Sequence, residues 1–457
     1  MRVSFLSLVE TWANALWNPW LLGAFLLVGG WYTLRSGLFQ LTPHRWLGTL
    51  KRSLCRPSTG GLTQAQALST ALASTIGTGS IAGVATAIFF GGPGAVFWMW
   101  VSALLGMMTG FAEKYLAAAF REPAPDGSFQ GGPMCYMAKG LKRVGKPLAA
   151  AFSMTCVLAS LAGGAMVQSN SISTSLHAAA GVAPISSGLL TALAVGVVLL
   201  GGIGRVGKVS ETLVPLMAGM FLTGGLTALF LRRSCLPAAF SAILQGAFRP
   251  RAAFGGYTAA LALRYGVARG VFTNEAGLGS SAMAHAAAGG STPSEEGCWG
   301  MVEVLISTLV VCTVTALVIL TAGVYSPADA LSALADGVIP PEYLGAPLCA
   351  ASFGVTLGKV GPLLVSVSLL LFAYTSLLGW GYYGERALSF LWGNSRAVPL
   401  FRGVFLLCVV MGSLGEVGAV WQLADLTNGL MALPNLTALL LLSPQVLPCI
   451  SSVNVVK

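Results

Sequence analysis

Long apolar runs govern what this chain can become. They recur from Asn18 almost to the C-terminus, many of them longer than about 18 residues, with short polar segments between. A helix rises about 1.5 Å per residue and needs about 20 apolar residues to cross the roughly 30 Å hydrocarbon core of a bilayer. Composition agrees: 55% of the 457 residues are apolar and 9% are charged, against about 25% charged in a soluble domain. The sequence therefore predicts an all-α polytopic membrane protein.

Eleven spanning segments are expected, near 19–38, 64–90, 94–120, 148–177, 186–203, 210–231, 255–289, 300–323, 358–391, 398–415 and 419–443. Between 324 and 346 a mildly acidic loop (Asp329, Asp336, Glu342) contains PADALSALADG, which reads as a short surface helix. The net charge of +10 does not point to nucleic acid, because the Lys and Arg residues sit in short loops with no aromatic-interleaved stripe. There they set orientation. Arg45, Lys51, Arg52 and Arg56 place the first loop in the cytoplasm, and alternation puts Arg121, Lys139, Lys142, Arg143, Lys146, Arg205 and Lys208 there too. Arg232, Arg233, Arg249 and Arg251 break the rule by falling outside. Nine scattered cysteines without CxxC read as small core residues. The N-terminus lacks a small-residue cleavage site and does not read as a signal peptide.

Two of the apolar segments are interrupted. ALASTIGTGSIAGVATAIFFGGPG at 71–94 places Gly77, Thr78, Gly79 and Ser80 at mid-segment, although glycine inside a helix costs about 1 kcal/mol against alanine. Non-helical backbone at that depth is tolerated only where it lines a cavity or is buried in protein. Half-helix ends there can hold a carboxylate or a small cation; a packing face formed by Gly79 and Gly83 is the other reading. The second interruption, RYGVARGVFTNEAGLGSSAMAH at 264–285, carries Arg269, Asn274, Glu275 and His285 with glycines at 270, 277 and 279. Ionisable residues at membrane depth mark function. The two interruptions head two five-helix halves, the pattern of inverted-repeat transporters, with 64–231 and 255–443 as the repeats, 19–38 as an extra helix, and the whole of 1–457 as one transmembrane domain.

The chain resembles the alanine or glycine:cation symporter family, the sodium:alanine symporters. The resemblance is carried by Ser74 to Trp100, GSFQGGPMCYMAKGL at 127–141, MVQSNSIS at 166–173, VPLMAGM at 214–220, RGVFTNEAGLGSSAMAHAAA at 269–288, FAYTSLLGWGYYGER at 372–386 and VWQLADLTNGLMALPNLTALLLLS at 420–443. It implies a leucine-transporter-like fold in the cell inner membrane, importing a small neutral amino acid with sodium as coupling ion and no resident cofactor. Membrane lipid is then the only other partner, and no nucleic acid is expected.

Site assignments combine the interruptions with the resemblance. Thr78 and Gly79 are expected at the substrate carboxylate, with Ser80 beside them, and Gln168 and Asn170 match a polar position of the family. Asn274 and Gly277 belong to the second interruption. Trp380 is expected either to close the pocket over a short side chain or to stand in an interfacial aromatic belt. Thr375 and Ser376 match a paired-hydroxyl position that holds sodium together with Ser74 and Thr75; back-bonding to the preceding turn is the alternative. Glu275 pairs with Arg269 as a lock, orients the Gly277–Gly279 break, or touches ligand. His285 reads as a polar neighbour near the cytoplasmic end, and Glu113–Lys114 and Glu385–Arg386 read as interfacial pairs. Two positions depart from the family pattern, Ser80 for Asn and Ser307 for Asp before Thr308, which leaves coupling by protons, or none, as alternatives.

GIGRVG at 202–207 matches GxGxxG but follows a membrane segment, not a strand, and Val209 replaces the hydroxyl that a P-loop needs after Lys208. It reads as a short basic turn. An intramembrane enzyme using Glu275 and His285 fails because residues ten apart on one helix do not meet. A transporter-derived amino-acid sensor remains the other rival.

Overall fold

The computed structural model describes residues 5–54, 60–123, 129–248, 258–336, 340, 343, 345–393 and 395–452. Arg56, Arg249, Arg251 and Glu342 lie outside them. Among the described residues six helices are long and apolar enough to cross a membrane: Gly94–Ala119, Lys142–Ala178, Gly202–Leu231, Pro293–Ala322, Val360–Trp392 and Val417–Ile450. Shorter apolar helices accompany them at Ala82–Gly91, Pro184–Leu199, Ala346–Leu357 and Val398–Leu414. Leu189, Leu193, Leu400 and Leu407 stand more than half exposed on the outer helices. A lipid-facing surface requires such side chains, whereas water would not favour them in such number.

Both interruptions form where the glycines stand. Thr63 caps the first helix in a reciprocal box with Gln66, and the helix runs Gln64–Thr75. It stops at Ile76, passes through extended Gly77, makes one 3-10 turn at Thr78–Ser80 and resumes as Ala82–Gly91. The second runs Ala259–Asn274 and ends where Glu275 takes a left-handed conformation at φ 54°, followed by Gly277 and Gly279 at φ 96° and 79°. A short helix, Ala282–Ala286, follows. Left-handed backbone is costly for a side chain other than glycine, and such residues persist at functional sites. The outer ends of the two interrupted segments are stitched together: the Leu62 N–H donates to the Ala287 carbonyl and the Gly289 N–H to the Leu62 carbonyl, each at 2.9 Å.

Two long helices widen into π-type turns, at Ser160–Val167 and Leu305–Cys312, a distortion that gathers at functional positions. The surface helix appears as expected, at Pro327–Asp336. GIGRVG is not a turn; it opens the Gly202–Leu231 helix. Helices at Pro43–Leu54, Pro133–Gly140, Leu236–Phe248 and Ala346–Leu357 were not anticipated, since each is too short to read as a span. The first is amphipathic, burying Trp46 and Leu50 while Arg45, Lys51 and Arg52 stay exposed.

Candidate functional site

The two interruptions meet. Ser74, Thr75, Gly77 and Gly79 of the first and Phe272 and Glu275 of the second line one narrow cavity, completed by Gly163, Gln168, Trp380 and Asn428. It has room for little more than a water molecule. The glycines are set by space. A Cβ at Gly79 would lie 3.1 Å from the Phe272 ring, and one at Gly77 would lie 2.5 Å from the Ser376 hydroxyl. Gly164, in the π turn, lets the helix approach Trp380, whose Cβ would sit 2.5 Å from an added Cβ. Gly83, by contrast, has only Thr273 at 4.0 Å, so the Gly79–Gly83 pair is not a close packing face.

Trp380 is 4% exposed, so it is not a belt aromatic. It lines the cavity and stacks edge-on with Tyr383, and its carbonyl accepts from Ser160 at 2.8 Å. Gln168 presents Oε1 to the Thr78 N–H at 3.5 Å. The Thr78 hydroxyl and the Asn428 Oδ1 are buried without a hydrogen-bond partner, which leaves donor and acceptor capacity around the cavity. Asn428 was missed in the sequence. Its signal was a polar side chain in the long apolar helix Val417–Ser452.

Several expected residues sit elsewhere. Asn170 donates both amide hydrogens away from the cavity, to the carbonyls of Gly412 at 2.9 Å and Gly415 at 2.8 Å, and so ties two helices. Asn274 folds back to accept from the Ala276 N–H at 3.0 Å, fixing the turn of the break. Gly277 donates to Glu113 at 2.9 Å and packs against Phe25 and Leu436. Neither it nor Asn274 lines the cavity. Ser80 is held by Thr315, which donates to its carbonyl at 2.9 Å.

Beside the cavity, the Ser376 hydroxyl lies 2.9 Å from the Ala73 carbonyl and 3.2 Å from that of Ser74. Three hard oxygens thus converge at the end of the Gln64–Thr75 helix. Thr375 does not join them. Its hydroxyl donates to Leu371 at 3.0 Å and Phe372 at 3.1 Å, the ordinary back-bond, and faces the Met217 sulfur. Ser74 contacts Tyr383 at 3.0 Å, and Thr75 bonds back to Ala71 at 3.2 Å.

The ionic residues overturn their interfacial reading. Glu113 and Lys114 are fully buried, with Lys114 3.3 Å from both Glu113 and Glu303. Asn435 donates to Glu113 at 2.7 Å and to the Gly277 carbonyl at 3.0 Å. His285 is equally buried, between Glu296 and Glu303. Arg269 does not pair with Glu275. It clamps Asp425 through two bonds of 3.1 and 2.9 Å, while Glu275 accepts from Ser280. Glu385 pairs with Arg402 at 2.6 and 3.0 Å, not with Arg386, which lies over the Tyr382 ring. Lys114 gains Glu303 and Arg269 gains Asp425 from distant segments that sequence adjacency could not reveal.

Residues 2–454 match the sodium:alanine symporter family. The chain belongs to that family. It is 40% identical over 459 residues to the sodium/alanine symporter AgcS of Methanococcus maripaludis, covering 100% of this chain and 98% of that one. It is 32% identical to the amino-acid carrier protein AlsT of Bacillus subtilis, with 97% and 91% covered. Among solved structures it is similar to MhsT in complex with L-phenylalanine, at TM-score 0.59 and 13% identity over 86% of this chain and 99% of that chain. It is similar also to a manganese transporter of Eremococcus coleocola, at TM-score 0.52 and 17% identity over 83% and 76%. Those likenesses establish a helical membrane-transporter fold. As a member of the sodium:alanine symporter family the protein is a multi-pass membrane symporter, not an enzyme.

Proposed function

We propose that the protein imports a small neutral amino acid, alanine or glycine, driven by sodium across the cell inner membrane. The observation that carries this reading is the meeting of two broken helices at one cavity. Half-helix ends offer free N–H groups for a carboxylate, and hydroxyls and carbonyls for a cation. In this reading the backbone at Thr78 and Gly79, with Gln168, takes the substrate carboxylate, while Asn428 and Glu275 face the amine. Trp380 and Phe272 restrict the side chain to one the size of a methyl group or less. The similarity to a sodium/alanine symporter supports the choice of alanine.

The same reading arranges the chain as two inverted five-helix repeats, 64–231 and 255–443, preceded by the helix Pro19–Arg35, with about eleven spans. The stitch between Leu62 and Ala287 supports it, because it joins the start of the first interrupted helix to the end of the second, as two oppositely directed halves require. Orientation by the positive residues puts that stitch on the cytoplasmic side. Substrate then moves between the Arg269–Asp425 pair on one side of the cavity and the buried Glu–Lys–His cluster on the other.

Sodium is assigned to the carbonyls of Ala73 and Ser74 and the Ser376 hydroxyl, near Ser74 and Thr75. Ser376→Ala should raise the sodium concentration for half-maximal uptake by about tenfold, equivalent to about 1.4 kcal/mol. Thr375→Val should leave it within about twofold, because that hydroxyl is spent on its own helix. Labelled-alanine uptake against sodium concentration reads both variants, and equal shifts would remove Ser376 from the site. Gly164→Ala should overpack Trp380 at a cost of about 1–3 kcal/mol and push the ring into the cavity, raising the alanine concentration for half-maximal uptake. A variant with wild-type alanine dependence would show that Trp380 does not bound the substrate.

A further inference from the structure

The imidazole of His285 stands between two carboxylates: Nδ1 is hydrogen-bonded to Glu296 Oε2 at 2.6 Å, and Nε2, which has no hydrogen-bond partner, lies 3.3 Å from Glu303 Oε2, with all three side chains fully buried. A neutral imidazole has one donor nitrogen and one acceptor nitrogen, and an ionised carboxylate only accepts. Facing two carboxylates, neutral His285 would leave one nitrogen lone pair near an anion. One proton more than a neutral histidine and two ionised carboxylates carry removes that repulsion and gives the unpartnered Nε2 and Glu303 Oε2 a bond to make. Two further facts point the same way. The second oxygens, Oε1 of Glu296 and Oε1 of Glu303, are buried without hydrogen-bond donors, so no direct bond offsets the negative charge on them. Lys114, the nearest cation, is already shared between Glu303 and Glu113.

We propose that Glu296, His285 and Glu303 form a proton-binding site. His285 is doubly protonated in this arrangement, and the proton leaves when the two elements that carry the triad part. The proposal rests on the transport reading above, in which substrate passes from one side of the cavity to the other. His285 lies on Ala282–Ala286, the tail of the second broken helix, and both glutamates lie on the Pro293–Val304 helix. Lys114 and Glu113 come from the Gly94–Ala119 helix. The proton therefore pins the tail of the second broken helix to the Pro293–Val304 helix, which Lys114 ties in turn to Gly94–Ala119. The other charged or titratable groups that face the triad include Glu275 at the break, Tyr383 of the Val360–Trp392 helix, and Arg121 and Cys298, which both interact with Glu296. The Gln64–Thr75 helix, packed on the same side, carries no titratable side chain. A metal ion is a poor alternative occupant, since among the described residues no group of three or more histidine, cysteine or acidic side chains is arranged to hold one.

The sign follows from linkage. The closed arrangement binds one proton more than the open one, so it is favoured as pH falls and loses that advantage as pH rises.

Glu296→Gln separates this role from a merely structural one. A glutamine amide can donate to Nδ1, leaving Nε2–H for Glu303, so every bond is satisfied by a neutral ring. The chain has three histidines, and His44 and His177 are exposed, so H44Q/H177Q isolates His285 for ¹⁵N NMR in lipid vesicles. At pH 8, where a free imidazole with pKa near 6.5 is neutral, both ring nitrogens should be protonated, and adding Glu296→Gln should leave only one so. A neutral ring at pH 8 while Glu296 is still in place would overturn the proposal. Calorimetry of alanine binding in sodium, in two buffers of different ionisation heat, should show uptake of about one proton by the unsubstituted protein and about none by Glu296→Gln. Equal proton numbers would overturn the release step. Absence of any alanine heat would count against the proposed substrate while the NMR result still decides the proton site.

Discussion

Lys114→Met should lower the stability of the folded protein by about 3–5 kcal/mol, the usual cost of removing one partner from a buried ionic group. The ammonium lies 3.3 Å from both Glu113 and Glu303, and all three side chains are 0% exposed. Without it, Glu113 keeps only the neutral donors Asn435 and the Gly277 N–H, and Glu303 keeps only His285. Methionine nearly matches the aliphatic stem, so packing loss contributes little. Thermal unfolding in detergent checks the effect: the midpoint should drop by several degrees. Lys114→Met combined with Glu303→Gln should recover part of the loss, because one of the stranded charges is gone. A single variant that melts with the parent would mean that the cluster is hydrated or protonated in place of being ion-paired.

Gly77→Ala should reduce sodium-driven uptake to below about a tenth of the parent's, a change of at least about 1.4 kcal/mol. The backbone at Gly77 is extended, with φ −106° and ψ −157°, so alanine is not excluded by conformation. Space excludes it, because the new methyl would sit 2.5 Å from the Ser376 hydroxyl. That hydroxyl cannot swing aside without leaving the Ala73 and Ser74 carbonyls that it bridges. The control is Gly83→Ala, six residues on, where the nearest atom is 4.0 Å away; its uptake should stay near the parent's. If both variants lost activity equally, the glycines would be serving helix packing and not a binding site.

These two residues also show how far the chain could be read before folding. The interruption around Gly77 was legible because glycines and hydroxyls inside an apolar run conflict with helix propensity and with lipid, and only a cavity resolves that conflict. The second interruption, at Glu275, was legible for the same reason. Lys114 was not. A Glu–Lys pair a few residues from the end of an apolar run looks identical whether it snorkels to the surface or is buried by helices from elsewhere in the chain. Here Glu303 and Asn435 come to it from two other segments, 189 and 321 positions along the chain from Lys114. Asn170 failed in the opposite direction. Its depth was right, but which face of its helix meets the cavity depends on packing, and that face belongs to Gln168. Arg269 was paired by proximity with Glu275, whereas a guanidinium reaches its bidentate partner, Asp425, across 156 positions of sequence.

The most direct measurement is accumulation of labelled alanine by proteoliposomes with and without an inward sodium gradient, at equal pH on both sides. The account predicts uptake above equilibrium only with the gradient, and its loss in Gly77→Ala. Uptake indifferent to sodium, with Gly77→Ala as active as the parent, would contradict both the coupling ion and the site.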